Sequence, residues 1–319
     1  MNRFQLTASA LALTAASVAF SAATPASADG GGRPTTYQLQ GDPGGSKFEG
    51  IGVSPNGSTF YVSEVTGGEL HRGDVRSGVT TEWKAEGADG RFTARGITTD
   101  AKGRIYVAGG PNGIGTGRPD LWVYAPDGTL LVALQTGVDN AFLNDVAIGP
   151  DGAAYFTNSN APQIFRVAFE DGAWRVTTWA DATGTIPTAA GFNLGGIVVA
   201  PDRRSLVVAQ GNVGVLWRFD LATRLATRIS TDADLRNADG LVLQGTRLRV
   251  VRNFDRILTT LRLAPDARSA RFVASEATDP TRVFTTAKIA HGRLLLVDSK
   301  FDEPVAAPPY EVVSSKLPR

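Results

Sequence analysis

The chain contains no cysteine, two histidines and one methionine in 319 residues. Without cysteine there are no disulfides, no thiolate metal sites and no cysteine nucleophile. His71 and His291 cannot form a three-histidine zinc site, and they leave few ways to build a Ser-His-Asp triad. Charge of either sign is also not in excess, with 32 Lys+Arg against 31 Asp+Glu. Such a balance does not attract nucleic acid or an anionic membrane surface, so no nucleic-acid partner is expected. Beyond the first 28 residues no uncharged run approaches the roughly 20 apolar residues of a membrane helix.

Those first residues read "MNRFQLTASALALTAASVAFSAATPASA". One arginine, a short Ala/Ser/Thr-rich apolar core and Ala26-Ser27-Ala28 make a secretory signal peptide over 1–28, cleaved after Ala28. The core is too short and too polar for a membrane anchor. No twin-arginine pair is present, so export of an unfolded chain to the periplasm or the extracellular space is expected, with any metal acquired there. Removing one arginine leaves 31 basic and 31 acidic residues, a net charge of zero. An exported chain without disulfides must be held together by its core and its sheets.

What the sequence has in quantity is glycine, 36 residues, set in a repeat. The segments "FEGIGVSPNGSTFYVSE", "ARGITTDAKGRIYVAGG", "LNDVAIGPDGAAYFTNS", "LGGIVVAPDRRSLVVAQ", "ADGLVLQGTRLRVVRN" and "VFTTAKIAHGRLLLVDS" share one plan. Each opens on a short polar or glycine element, continues as an alternating strand, turns, and ends in a second β-rich strand. Turns such as "PNG", "AKG", "PDG" and "HG" supply the positive φ of tight hairpins. Aligned on their openings, the equivalent residues are Glu49, Arg95, Asn144, Gly195, Asp239 and Phe284, spaced 46, 49, 51, 44 and 45 residues apart.

That period, with four strands per repeat, predicts an all-β, six-bladed β-propeller over 35–319, a single domain. Third strands follow at "GELHRGD", "DLWVYAPDG", "QIFRVAFEDG", "GVLWRFDLAT" and "RILTTLRLAPD", and "YEVVSS" supplies the third strand of the last blade. That blade lacks its own fourth strand, and Thr35–Gln40 is expected to complete it and close the ring, removing two exposed edges. Residues 29–34 are expected to be a flexible tail. Trp83, Trp122, Trp174, Trp179 and Trp217 fall on third or fourth strands, where they are expected to pack blade against blade. "PNGIGTGRPD" (Pro111 to Asp120) is expected as a loop overhanging one mouth, and His71 and His291 as surface residues.

Ring closure brings the six opening residues to one mouth of the central channel. Three offer oxygen: Glu49, Asn144 and Asp239, with Asp145 next in line. Oxygen donors without sulfur or imidazole favour a hard divalent cation, Ca²⁺ before Mg²⁺. At "FEG", "LND" and "ADG" the chain resembles the regucalcin/gluconolactonase family of calcium-dependent lactonases, also six-bladed propellers. The resemblance implies Glu49, Asn144 and Asp239 as metal ligands, Asp239 as the carboxylate nearest the chemistry, and a small cyclic ester as substrate. It also implies substrate contacts from Arg95, Asn144, Asp145 and Phe142.

Two departures from that pattern stand out. The family's fourth-blade asparagine is Gly195 here, with Asn193 the nearest candidate to replace it. The arginine that sugar-acid lactonases carry two residues before the third-blade asparagine is Phe142 here, with Arg95 as its candidate substitute. The second repeat also resembles the NHL repeat, so the rival expectation is a non-catalytic binding propeller for a small ligand, a cell-wall component or a protein. A strictosidine-synthase-like propeller, using a carboxylate without metal, is a third reading. A monomer with a small-molecule partner is expected.

Overall fold

In the computed structural model, the structure describes residues 32–110 and 117–317. The expected signal peptide, residues 29–31 of the expected tail and residues 111–116 of the overhanging loop lie outside the described residues. Six four-stranded antiparallel sheets account for all the strands described. Their inner strands are Phe48–Val53, Ile97–Thr99, Leu143–Ile148, Leu194–Val199, Ala238–Gln244 and Phe284–Ala290. The one helical element described is a 3₁₀ turn at Ala88–Gly90. No described helix is long and apolar enough to cross a membrane.

The ring closes as its sequence requires. Thr36–Leu39 pairs antiparallel with Tyr310–Lys316, with Tyr37 opposite Val312. Tyr310–Lys316 in turn pairs with Arg293–Asp298 as the third strand of the last blade. Tyr37 is 1% exposed, sits edge-on to Phe60 at 4.8 Å between ring centroids, and donates its hydroxyl to Val75 O at 2.9 Å. The N-terminal strand is therefore anchored in both the last blade and the first.

Packing between blades follows from alternation. The apolar faces of neighbouring sheets meet in clusters such as Trp179 with Leu206 and Trp217 between blades three and four. Tyr61, Ile97 and Trp122 form another between blades one and two. The five tryptophans all lie in or against these clusters, consistent with large apolar groups joining blades.

At the openings, the second residue of each pair explains the glycines. A Cβ on Gly50 would collide with Arg95 O, one on Gly196 with Asp239 O, and one on Gly240 with the backbone of Thr286. Glycine lets each inner strand lie directly against the next. Hydroxyl groups on neighbouring strands then satisfy the freed backbone. Ser63 Oγ accepts from Gly50 N at 2.9 Å and donates to Arg95 O. Thr157 Oγ1 donates to Gly195 O at 2.8 Å, and Thr285 Oγ1 to Glu49 O at 2.8 Å.

In five blades the ladder shifts register at this pair, for example between Phe48 and Ile51. Bulges of this kind re-aim a side chain. They also correct one expected position. In blade six Phe284 pairs with Asp298 as Phe48 pairs with Glu64, so the residue equivalent to Glu49 is Thr285, not Phe284. Phe284 instead packs into the cluster between blades five and six.

Candidate functional site

The openings of blades one to five build one wall of a cavity of about 450 Å³ at one mouth. Glu49, Arg95, Asn144, Gly195 and Asp239 all line it, and so does Phe142. Asp145 does not. It lies one layer deeper, in the channel throat with Gly96, Gly196 and Thr286. There its carboxylate accepts from Val146 N at 2.8 Å and from Ile197 N at 3.2 Å.

The charges in the mouth are poorly compensated. Glu49 is 8% exposed, and its carboxyl is pushed well above the usual carboxylate range by burial, with the Arg95 guanidinium opposing and the charges of Asp239 and Asp145 adding to the rise. Asp239 keeps part of its surface open to the cavity but sits deep. Burial pushes its carboxyl up as well, a hydrogen bond from Asn253 opposes this, and Asp145 adds to it. Asn253 Nδ2 donates to Asp239 Oδ2 at 2.9 Å, which leaves Oδ1 facing inward.

Arg95 is the cation set beside Glu49 in the mouth. It is 1% exposed, with Nε 4.0 Å from Glu49 Oε2 and its guanidinium carbon 3.6 Å from the centroid of the Phe142 ring. Burial lowers its pKa to about 10 against the pull of Glu49. Its Nε and Nη1 are buried without a hydrogen-bond partner among the described residues. An arginine left this way costs free energy unless a further group pairs with it. Phe142, standing where the resemblance called for arginine, thus receives a guanidinium from the neighbouring blade on its face.

The same residues offer a donor set suited to a divalent cation. The donors available are all hard: the Glu49 carboxylate, the Asn144 amide oxygen and Asp239 Oδ1. No protein group hydrogen-bonds the Glu49 carboxylate or the Asn144 side chain among the described residues. Blade four offers open space instead of a ligand. A Cβ placed on Gly195 would stand 3.6 Å from Asn144 Oδ1 and 3.9 Å from Asp239 Oδ1. Two under-compensated carboxylates and a free amide around such a gap fit an oxygen-seeking cation, with one protein ligand fewer. Among the described residues, the carboxylates Asp42, Glu69 and Glu86 form the one acidic trio whose oxygens lie within 4.8 Å of one another. Glu49, Asp145 and Asp239 are not so tightly grouped, so Asn144 is needed to complete the donor set.

Asn193 does not fill the gap. Its Oδ1 accepts from Ala189 N, Gln210 Nε2 and Asn212 Nδ2, and its Nδ2 donates to Ser159 O, Ala189 O and Gly191 O. With both ends engaged, it fixes the loop before blade four. His71 also departs from expectation. It is 2% exposed, packed edge-on to Phe48 at 5.3 Å, with Nε2 3.2 Å from Glu64 Oε2. The third strand of blade one turns that side chain inward, against the inner strand. His291 is exposed in its turn at φ 47°.

The sequence reading missed the other half of the wall. Val65, Asn212, Asn253, Phe254 and Phe301 come from loops that follow the second strands of their blades, and Phe192 from the loop before blade four. The signal was in phase with the repeat. "QGN", "RNF" and "DSKF" stand directly after equivalent strands.

No family model matches the chain, and no curated protein sequence does. Solved structures do match. A regucalcin from Agrobacterium tumefaciens, described as a calcium-binding protein, superposes with a TM-score of 0.58 at 16% identity, over 85% of this chain and 94% of its own. A gluconolactonase from Xanthomonas campestris gives 0.59 at 16%, over 85% and 86%. The chain has the six-bladed propeller fold of regucalcin and gluconolactonase. The same fold is shared by virginiamycin B lyase from Staphylococcus aureus, with a TM-score of 0.60 at 12% identity over 88% of both chains. At these identities the likeness carries the fold, and the chemistry rests on the mouth itself.

Proposed function

We propose that the protein is an exported, monomeric hydrolase that opens a small cyclic ester at this mouth, with a divalent cation, calcium first, held by Glu49, Asn144 and Asp239. The observation that carries this reading is the meeting, on one cavity, of those three side chains with the Arg95 guanidinium, two of whose nitrogens have no hydrogen-bond partner among the described residues. A calcium-binding protein and a gluconolactonase among the propellers of the same fold support it.

When bound, the cation supplies Lewis-acid polarisation of an ester carbonyl and stabilisation of the oxyanion. The chain supplies the rest. Asp239, oriented through Asn253, takes a proton from water as the water oxygen attacks the acyl carbon. That proton passes to the ring oxygen as the acyl–oxygen bond breaks, leaving a hydroxy acid. Arg95, held flat against Phe142, presents donors to the carbonyl oxygen and then to the carboxylate product. Asn144, with no protein partner, is free to orient the ester.

A binding propeller is the second reading, and Gly195 favours it, because the opening of blade four adds no oxygen donor to those of Glu49, Asn144 and Asp239. Hydrolysis of a panel of γ- and δ-lactones, with calcium and with chelator, separates the two. The hydrolase reading expects turnover above buffer that falls at least about tenfold on chelation. Lactones that bind without turnover would establish the binding propeller instead.

A further inference from the structure

The most deeply buried polar lining of the mouth, its floor, is Glu49, Arg95 and Asn144, with Asp239 beside them. The walls carry Phe192 and Phe254 toward solvent, with Val65, Phe142, Phe301 and several asparagines also lining the cavity. Phe192 and Phe254 are 58% and 49% exposed, and the Phe142 and Phe192 rings stand 4.7 Å apart. Large apolar side chains left open to solvent around a cavity mark a surface that binds something.

The asparagines in the same walls do not make them polar toward a ligand. Asn193 and Asn212 donate their side-chain amides to Ala189 O, among other acceptors. Asn237 donates to Asp255 Oδ1 at 2.8 Å and Asn253 to Asp239 Oδ2 at 2.9 Å. Asn212 Oδ1 has no partner, but it is buried. Among the described residues the free donors lie chiefly at the floor, on Arg95 and Asn144, while Asn237 and Asn253 in the walls each spend one of their two amide hydrogens on a protein partner. A sugar lactone, with a hydroxyl on nearly every carbon, would press those hydroxyls against phenylalanine rings and leave them unpaired.

We infer that this mouth takes an amphiphilic ester: one carbonyl head seated on the floor, and an alkyl or aryl body lying along the phenylalanine wall. This rests on the proposed hydrolase for the head group, but the wall argues for the body independently. Such a molecule makes its polar contacts at one end and buries apolar surface over the rest, as the cavity does.

The test is a homologous series of γ-lactones with straight alkyl substituents from methyl to octyl, run beside glucono-lactone. A parallel series of 2-alkylcyclopentanones, which keep the carbonyl but cannot be hydrolysed, is followed by titration calorimetry. Both kcat/KM and affinity are expected to rise by about fourfold per buried methylene over the first few carbons. Phe192→Ser and Phe254→Ser, at exposed positions, should flatten that slope. Growth of affinity in the ketone series with no lactone turned over would overturn the hydrolase and support the amphiphile site. Turnover with a flat slope, or with glucono-lactone preferred, would overturn the amphiphile site and leave the hydrolase standing. No turnover and no slope would overturn both.

Discussion

Asp239→Asn is expected to lower kcat/KM for lactone opening by about a thousandfold without loss of the fold. The substitution keeps the shape and removes the base. Asn253 Nδ2 now donates to Asp239 Oδ2, and the asparagine oxygen can accept in its place. The folded protein also gains by losing the charge. Burial raises the Asp239 pKa above its value in the unfolded chain. The stability that this carboxyl lends is therefore present at low pH and is lost as pH rises through the folded value. An asparagine has no such loss, so the melting temperature above neutral pH should hold or rise. Steady-state kinetics and a thermal melt at pH 8 read both halves. A loss below about tenfold would remove Asp239 from the chemistry.

Tyr37→Ala is expected to be the most damaging single change outside the mouth. It removes a fully buried ring from the strand that closes the propeller, together with the contact to Phe60 and the bond to Val75 O. Truncations of this kind cost about 3–5 kcal/mol, or roughly 10 °C of melting temperature in a domain of this size. Loosening Thr36–Leu39 would also bare the edge of Tyr310–Lys316, so aggregation should accompany unfolding. Tyr37→Phe keeps the ring and forfeits only the hydroxyl, about 1 kcal/mol. If the alanine variant melts within about 2 °C of the parent, the N-terminal strand is not what holds the ring shut.

Much of this was readable from the repeat alone. Six phased copies of a hairpin gave the blade count, and the lone segment before the first copy gave the closing strand, because an odd strand has only the odd edge to pair with. The convergence of Glu49, Asn144 and Asp239 on one mouth followed from the same phase. Phase is weakest at "VFTTAK", which has no glycine to mark its opening, so the repeat points to apolar Phe284 where the strand register places Thr285.

Other features depended on contacts between distant segments. The burial of His71 depends on Phe48 and Glu64, which face it from neighbouring strands. The occupation of Asn193 depends on Ala189, Gln210 and Asn212. Sequence patterning signals whether a residue tends inward or outward. It does not signal which of several amides will be left free. The exchange of Arg95 for an arginine at Phe142 is legible as a substitution between blades, but not the contact of the guanidinium with the Phe142 ring, nor the two nitrogens left without hydrogen bonds among the described residues.

The central claim is that Glu49, Asn144 and Asp239 form one cation site at the mouth. Titration calorimetry with calcium, on the protein without residues 1–28 and beside Glu49→Gln and Asp239→Asn, measures this site. A single saturable site is expected in the parent, with binding weakened at least about tenfold in each variant. No calcium heat in the parent, or equal binding in all three proteins, would contradict it.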